Sequence, residues 1–171
     1  MNLLNYYSIG EHMKKNINTQ NFKDEVKKVQ WIGRLLNYWN LKQYKVRLDV
    51  CAWQIFEIDY GMNVGHEFSG RHYGVAIHDS PFYNPIITVI PIKTSRGKLN
   101  PNSDVYLGKI EGIQSLKNSI AVINQIHSID KIRIFNIDSI NKKVKPKTAI
   151  YLNEEQINII QNGIKKILFK N

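Results

Sequence analysis

One short segment of this chain, residues 61–79, gathers four glycines, two carboxylates, an arginine and three histidines. Glycine permits positive φ and a close approach of backbones, so the spacing of the glycines predicts a shaped loop that carries Glu67. A short apolar stretch follows the loop and predicts a strand. Arg71 and His72 lie where the loop meets the strand, a position that can hold side chains firmly. This junction is therefore the first candidate site.

The groups at the junction suit acid–base chemistry on a phosphate ester. An imidazole whose ordinary pKa is about 6.5 exchanges protons near neutral pH, and a guanidinium presents a rigid fork that matches phosphate. Cleavage of RNA by its own 2′-hydroxyl needs a base, an acid for the leaving oxygen and a cation beside the phosphorane. Because only RNA carries that internal nucleophile, such a site would distinguish RNA from DNA.

Other kinds of site find less support in the sequence. A Gly-x-x-x-x-Gly-Lys-Ser/Thr loop is absent, which argues against nucleotide hydrolysis of the P-loop type. No metal-ligand spacing with carboxylates or cysteines is found for the five histidines, which stand at 12, 66, 72, 78 and 127. We therefore expect no metal ion at the site.

Two further stretches place polar groups after apolar runs. The first follows a strand-ending proline with cations and hydroxyls, namely Lys93, Thr94, Ser95, Arg96 and Lys98. Such groups at a strand end are suited to phosphate contacts, although a solvated hairpin loop has the same composition. In the second stretch, Gln125 and His127 are expected on one face of a strand, and Lys131 and Arg133 follow. Taken alone, the second stretch fits an exposed edge strand better than a site.

The charge balance bounds the possible partners. The chain has 171 residues, with 24 Lys and Arg against 14 Asp and Glu, and its net charge is +10. Such an excess favours a polyanion or an acidic protein as partner, although a lysine-rich solvated surface would also produce it. Cys51 is the single cysteine, which fits a reducing cytosol. No apolar run approaches the ~20 residues that a membrane span requires, so we expect a cytoplasmic protein.

The N-terminal part predicts a helix over residues 18–44. Its apolar residues recur at three- or four-residue spacing, as shown by Phe22, Val26, Val29, Leu36 and Trp39. Gly33 can divide this stretch into two helices. The apolar stripe must be buried against something. We assign residues 1–45 to an N-terminal helical extension and residues 46–171 to the main domain.

After residue 46 the sequence pattern changes to short apolar runs separated by Gly, Pro, Asn and Asp. They predict strands over residues 50–58, 73–77, 86–92, 104–110, 119–126 and 131–137. Connections this short leave no room for crossover helices, so the sheet should be mostly antiparallel and curled into a small barrel. Asn153-Glu-Glu-Gln then begins a capped amphipathic helix with an acidic first turn and a basic last turn. The fold class is a β-rich α+β barrel with helices at both ends of the chain.

In this order and at these separations, the three polar stretches resemble motifs of the PemK/MazF family of toxin endoribonucleases from toxin–antitoxin systems. The family has a Gly-Ser-Glu-Gln-x-Gly-x-Arg-Pro turn, a Val-x-Pro-x-Thr strand end and a Gln-Ile-x-x-Ile-Asp-Lys-x-Arg segment. Here they read Gly65-His-Glu67-Phe-Ser-Gly70-Arg71-His72-Tyr73, Val89-Ile-Pro91-Ile-Lys93-Thr94-Ser95 and Gln125-Ile-His-Ser-Ile-Asp130-Lys131-Ile-Arg133. The resemblance, over roughly residues 50–169, implies an SH3-like barrel that forms a homodimer, uses no cofactor, binds a cognate antitoxin and cleaves single-stranded RNA sequence-selectively.

The chain departs from the family pattern in two places. Counted from Gly70, the family's catalytic arginine falls on His72, with Arg71 one place early. Side chains alternate along a strand, so these two should face opposite sides, and we favour His72 as the catalytic group with Arg71 as the second choice. The family's catalytic threonine falls on Lys93 by strict count, and we favour its neighbours Thr94 and Ser95.

The remaining site positions follow from the resemblance. Glu67 matches the family's loop carboxylate, which can orient Arg71 or His72, assist proton transfer, or simply brace the loop. Candidate RNA contacts are Asn63, Lys93, Arg96, Lys98 and Gln125. The altered order of arginine and histidine leaves a second interpretation open, a non-cleaving barrel that binds nucleic acid or a protein target, as the related gyrase-poison toxins do.

Overall fold

The computed structural model of the protein describes residues 19–41, 46, 48–95, 97–113, 118–135 and 149–169. The chain divides into two compact units, one that ends at Leu41 and one that begins at Lys42. The Arg96 prediction lies outside the described residues, as does the end of the strand predicted over 131–137. Within the described part of the chain, no helix is both long enough and apolar enough to cross a bilayer.

The described part of the first unit is a continuous helix, α1 (Thr19–Leu41). The predicted division at Gly33 is not present, because one glycine costs a helix only about 1 kcal/mol and no proline follows it. The apolar residues of the predicted stripe are exposed, most of all Trp39, and Phe22 and Val29 are more than half exposed.

The described residues of the second unit include an antiparallel sheet of seven strands. They are β1 (Gln54–Asp59), β2 (Arg71–Ala76), β3 (Ile86–Thr94), β4 (Asp104–Gly108), β5 (Ser119–Val122), β6 (His127–Asp130) and β7 (Ile150–Tyr151). The order is β4-β5-β3-β2-β1-β7, and β6 pairs with the first half of β3 while β5 pairs with its last residues. The curled sheet and the closing helix α2 (Glu154–Leu168) confirm the predicted fold class.

Side chains from the two faces of this sheet enter two separate apolar clusters. One cluster contains Val75, Ile90 and Ile160 of α2, so it lies between the sheet and the closing helix. The other contains Ile58 and Val89 and packs against the partly buried Phe68 of the loop before β2. Because neighbouring residues of β2 alternate between these clusters, the two faces at its start carry different chemistry.

The start of α2 follows the sequence prediction. Asn153 Oδ1 accepts a hydrogen bond from the Gln156 backbone at 2.9 Å, and Gln156 Oε1 accepts one from the Asn153 backbone at 3.2 Å. Glu154 and Glu155 occupy the first turn, and Lys165 and Lys166 occupy the last, as the helix dipole favours. Gln156 Nε2 also donates to two carbonyl oxygens at the end of β4, so the cap fixes α2 to the sheet.

The strand predictions between residues 119 and 137 are partly wrong. β5 stops at Val122 and a 3₁₀ turn, Ile123–Gln125, separates it from β6. A second 3₁₀ turn, Lys131–Arg133, replaces the strand predicted there, because the Asp130 side chain accepts a hydrogen bond from the Ile132 N–H and so turns the chain. Local side-chain caps of this kind compete with strand pairing and are not visible in an apolar pattern.

Candidate active site

The candidate site lies where β2 and β3 separate. Their pairing ends at Tyr73 and Ile92. Beyond that point β2 stays paired with β1 as far as Arg71, and β3 stays paired with β5 as far as Thr94. Each strand therefore keeps its outer neighbour while the space between the two strands opens.

This opening is a cavity of about 670 Å³. The residues that line it, called here the β2–β3 cavity, are Glu57, Arg71, His72, Tyr73, Ile92, Lys93, Thr94, Gly97, Lys98, Asp104 and Ile120. Five of the positions predicted from the sequence are thus brought together: Arg71, His72, Lys93, Thr94 and Lys98. Three lysine and arginine side chains and one imidazole surround a cavity that also contains two carboxylates.

The two faces of the sheet divide these side chains into two sets. Tyr73 and Ile92 are paired and share a face, so the next residues outward, His72 and Lys93, share the opposite face. Arg71 and Thr94 lie on the face of Tyr73. The expectation that Arg71 and His72 face opposite sides agrees with this register. The predicted combination of His72 with Thr94 does not agree with the register, because these two residues lie on different faces of the sheet.

The His72 ring lies against the loop that precedes β2. Its centroid is 4.7 Å from that of Phe68 in an edge-to-face arrangement. Partial burial of the ring lowers the pKa of His72 below its usual 6.5, and a hydrogen bond to the Ser69 backbone offsets part of that effect. Part of the side chain remains exposed to the cavity. At neutral pH this imidazole is therefore mostly uncharged and able to accept a proton.

Edge-to-face ring contacts continue from Phe68 into the protein. The Phe68 centroid is 5.1 Å from that of Tyr60, and Tyr60 lies 5.2 Å from His127. Tyr60 is fully buried, and burial raises its pKa. Its hydroxyl fills the space beside Gly74, where any larger residue would collide with it. This close approach, rather than a positive φ, is what Gly74 provides.

Arg71 is bound to a carboxylate that the sequence analysis did not single out. Its Nη2 donates to Glu57 Oε2 at 2.7 Å, and its Nε contacts the other carboxylate oxygen. This hydrogen bonding raises the pKa of Arg71. The guanidinium carbon lies 3.9 Å from the centre of the Phe135 ring, so one face of the guanidinium is covered. The sequence does contain a signal for this carboxylate, because Glu57 is a charged residue within the mostly apolar run of β1.

Lys93 is also held by a carboxylate, and on the face of His72. Its Nζ donates to Asp104 Oδ1 at 3.0 Å. Burial of Asp104 tends to raise the pKa of its carboxyl group, but hydrogen bonds from the Asn100 backbone, Lys93 and Ser103 outweigh burial and lower it. Asp104 therefore stays ionised and fixes the lysine, whose side chain remains 38% exposed.

The other predicted residues lie around the cavity or outside it. Glu67 Oε2 accepts a hydrogen bond from the Val64 N–H, Asn63 Nδ2 donates to the carbonyl of Phe68, and Gln125 Oε1 accepts from the N–H of Phe68. These three side chains brace the loop and do not line the β2–β3 cavity. Ser95 does not line it either, and its hydroxyl contacts the Gly97 carbonyl at 3.5 Å.

Lys131, which the sequence placed in the third polar stretch, has a structural role. It is fully buried, and its Nζ donates to the carbonyls of Leu48, Ser80 and Pro81. Among the residues that the structure describes, no group of three or more His, Cys, Asp or Glu side chains is arranged to hold a metal ion.

Comparison with known proteins identifies one family. The family model described as PemK-like, MazF-like toxin of type II toxin–antitoxin system matches residues 52–168. No curated protein matches the chain.

Several solved structures are similar to this chain at low sequence identity. MazF (Form-I) from Deinococcus radiodurans is 18% identical, with 71% of this chain and 98% of that chain covered and a TM-score of 0.49. An endoribonuclease in complex with its cognate antitoxin from Mycobacterial species is 11% identical, covers 71% and 97%, and has a TM-score of 0.46. MazE–MazF (Form-II) from Deinococcus radiodurans is 16% identical, covers 71% and 96%, and has a TM-score of 0.44.

Proposed function

Because the chain belongs to the family of PemK-like, MazF-like toxins of type II toxin–antitoxin systems, we propose that it is an endoribonuclease that cleaves single-stranded RNA without a metal ion. The observation that carries the proposal is the joint placement of His72 and Lys93 in the β2–β3 cavity. One side chain can exchange a proton at neutral pH and the other can hold a phosphate. RNA itself supplies the nucleophile.

The proposed reaction is a transesterification at one phosphodiester of the RNA. His72 takes the proton from a ribose 2′-hydroxyl, whose oxygen then attacks the adjacent phosphorus. The bond from phosphorus to the 5′-oxygen breaks, and that oxygen receives a proton, for which the Lys93 ammonium is our candidate donor. The products are a 2′,3′-cyclic phosphate and a 5′-hydroxyl end. Lys93 and Lys98 also stabilise the negative charge that develops on the phosphorane.

Arg71 and Thr94 form the opposite wall of the cavity in this scheme. The Thr94 hydroxyl can donate to a phosphate oxygen, although from the other face of the sheet. Glu67, Asn63 and Gln125 act by keeping the loop before β2 in shape, since their hydrogen bonds are made to that loop. A cognate antitoxin, a homodimer and a cytoplasmic location belong to the same proposal, as the family implies them.

The test is incubation of purified protein with end-labelled single-stranded RNA in the presence of EDTA. We expect cleavage by the wild type and a loss of about 10²-fold or more in rate for His72→Ala, the usual contribution of a general base. His78→Ala is the control, since His78 lies past the other end of β2 and contacts Asp79 and Thr88.

Undiminished cleavage by His72→Ala would contradict the assignment. RNA left whole by the wild type, together with growth inhibition that follows gyrase activity, would instead favour the non-cleaving barrel.

A further inference from the structure

We propose that Glu57, Arg71 and Phe135 form a subsite for a nucleobase next to the cleaved phosphate, selective for a base with an exocyclic amino group. The inference rests on the proposed function, because it names the part of an RNA substrate that this wall of the β2–β3 cavity would bind. It assigns Arg71 to base recognition and leaves the phosphate to Lys93 and Lys98.

The first argument is the exposure of the guanidinium. Phe135 covers one face of the Arg71 guanidinium at 3.9 Å from its ring centre, and Glu57 holds the edge that carries Nε and Nη2. The Arg71 side chain is nevertheless 50% exposed and lines the cavity. With one face against Phe135 and one edge bound to Glu57, the planar Arg71 guanidinium is held rigidly, and a flat ring can stack on its other face. Unpaired RNA bases are commonly stacked on guanidinium planes.

The second argument is charge. Arg71 and Glu57 together carry no net charge, so the pair is a weak anchor for a phosphate. The cations on the opposite wall, Lys93 and Lys98, are better placed for that task, and only Lys93 of these two is paired with a carboxylate in an ion pair of the described residues. A neutral pair beside a cationic wall is suited to a neutral ligand, and a nucleobase is the neutral part of RNA.

The third argument concerns the carboxylate. An ionised carboxylate has two oxygens with about four lone-pair positions, and Arg71 occupies one on each oxygen. The Glu57 side chain is 27% exposed and lines the cavity, so its remaining positions can accept hydrogen bonds. Adenine, cytosine and guanine carry exocyclic amino donors, whereas uracil has no amino group and its single N3–H donor lies between two carbonyl oxygens that a carboxylate repels. The subsite should therefore discriminate against uracil.

The position of the subsite relates it to the reaction. Arg71 and His72 are adjacent in β2, and both line the same cavity from opposite faces of the sheet. A base stacked on Arg71 is thus close to the phosphate beside His72. A half-exposed ion pair contributes little to folding, so the arrangement has little value for stability alone.

The experiment maps the cleavage sites in a pool of random-sequence RNA by sequencing the 5′-hydroxyl ends. For the wild type we expect uracil to be depleted at one position that flanks the cut. Glu57→Gln should reduce that depletion at least tenfold at the same position and leave the preferences at other positions unchanged. Glu111→Gln is the matched control, because Glu111 is exposed and does not line the cavity.

A second variant guards against a failure of Glu57→Gln to fold. Phe135→Leu retains an apolar contact but removes the flat support of the guanidinium, so it should weaken the same preference at the same position. Unchanged uracil depletion in folded Glu57→Gln, or in Phe135→Leu if the first variant does not fold, would overturn the inference while leaving the proposed cleavage intact.

Absence of cleavage by the wild type would contradict the proposed function, but the subsite can still be tested by binding. The same pool made with 2′-O-methyl RNA, which cannot attack itself, is then selected for binding to the wild type and to Glu57→Gln. Uracil depletion that disappears in the variant supports the subsite. Equal sequence preferences of the two proteins, or no binding of this RNA, would contradict it.

Discussion

His72 and Lys93 share one face of the sheet at the first positions beyond the end of β2–β3 pairing. They therefore approach the β2–β3 cavity from opposite sides and from strands that no longer bond to each other there. A phosphate between them would meet an imidazole on one side and an ammonium on the other. Thr94, at the next position of β3, is directed to the other face and is not equivalent to Lys93.

Removal of the Lys93 charge should therefore reduce cleavage more than removal of the Thr94 hydroxyl. We expect Lys93→Met to lower kcat/KM about 10²-fold, in the range found when one donor to a developing charge is lost. Thr94→Ala should lower it by less than about tenfold. Lys93→Arg serves as the control for charge, since it retains a cation beside Asp104 and should recover part of the activity. Similar losses for Lys93→Met and Thr94→Ala would contradict the assignment.

The pH dependence of cleavage should report the environment of His72. Because partial burial lowers the pKa of this imidazole, it remains an effective base at pH values where an exposed histidine is already protonated. The acidic limb of kcat/KM should therefore have its midpoint below 6.5. Phe68→Ala exposes the His72 ring to water, so the midpoint of the acidic limb should rise toward 6.5. Phe82→Ala, on an exposed loop, should leave it unchanged. A wild-type midpoint above 6.5 would exclude His72 as this base.

Asp104 should contribute to stability in a pH-dependent way. Its pKa in the folded protein is lower than in the unfolded chain, so its stabilisation is present above the unfolded value of about 3.9 and disappears as pH falls through the folded value. At pH 7 we expect Asp104→Asn to reduce the free energy of unfolding by about 1–3 kcal/mol, because hydrogen bonds to a charged group are weakened. The difference from wild type, measured by urea unfolding, should shrink below pH 4. A constant difference would contradict this explanation.

Gly163 tests how tightly α2 packs on the sheet. Alanine improves helix propensity by about 1 kcal/mol, but a Cβ at this position would collide with Val105 of β4. Overpacking usually costs about 1–3 kcal/mol, so Gly163→Ala should lower the melting temperature. Gly33→Ala in α1 is the control, since nothing lies within 4 Å of its Cβ position, and it should raise helicity. A Gly163→Ala protein that melts at or above the wild-type temperature would show that the contact is loose.

Much of the fold could be predicted because its signals are local. The β-branched apolar run of β3 and the acidic and basic ends of α2 are visible in neighbouring residues, and both predictions agree with the structure. The turn at Lys131–Arg133 was predicted as a strand, since its cause is one hydrogen bond from the Ile132 N–H to the Asp130 carboxylate. An apolar pattern does not show which polar side chain will bond to its own backbone.

The location of the candidate site could be predicted from the sequence, but the ion pairs within it could not. The motifs indicated that Arg71, His72 and the Lys93 region would meet, and the structure places them around one cavity. Glu57 and Asp104 were not identified, because each becomes part of the site only through a partner on another strand. The face of each side chain follows from strand register, which depends on where β2 and β3 stop pairing rather than on the order of residues.

The divergence of β2 from β3 also leaves these two strands less reinforced at the candidate site than at Tyr73 and Ile92. Tyr73 and Ile92 each have a paired strand on both sides, whereas beyond them each strand retains only one neighbour. Backbone amides there should exchange with deuterium sooner than those a few residues farther along the same strands. Slower exchange on addition of an oligonucleotide would locate the bound ligand before its preferred sequence is identified.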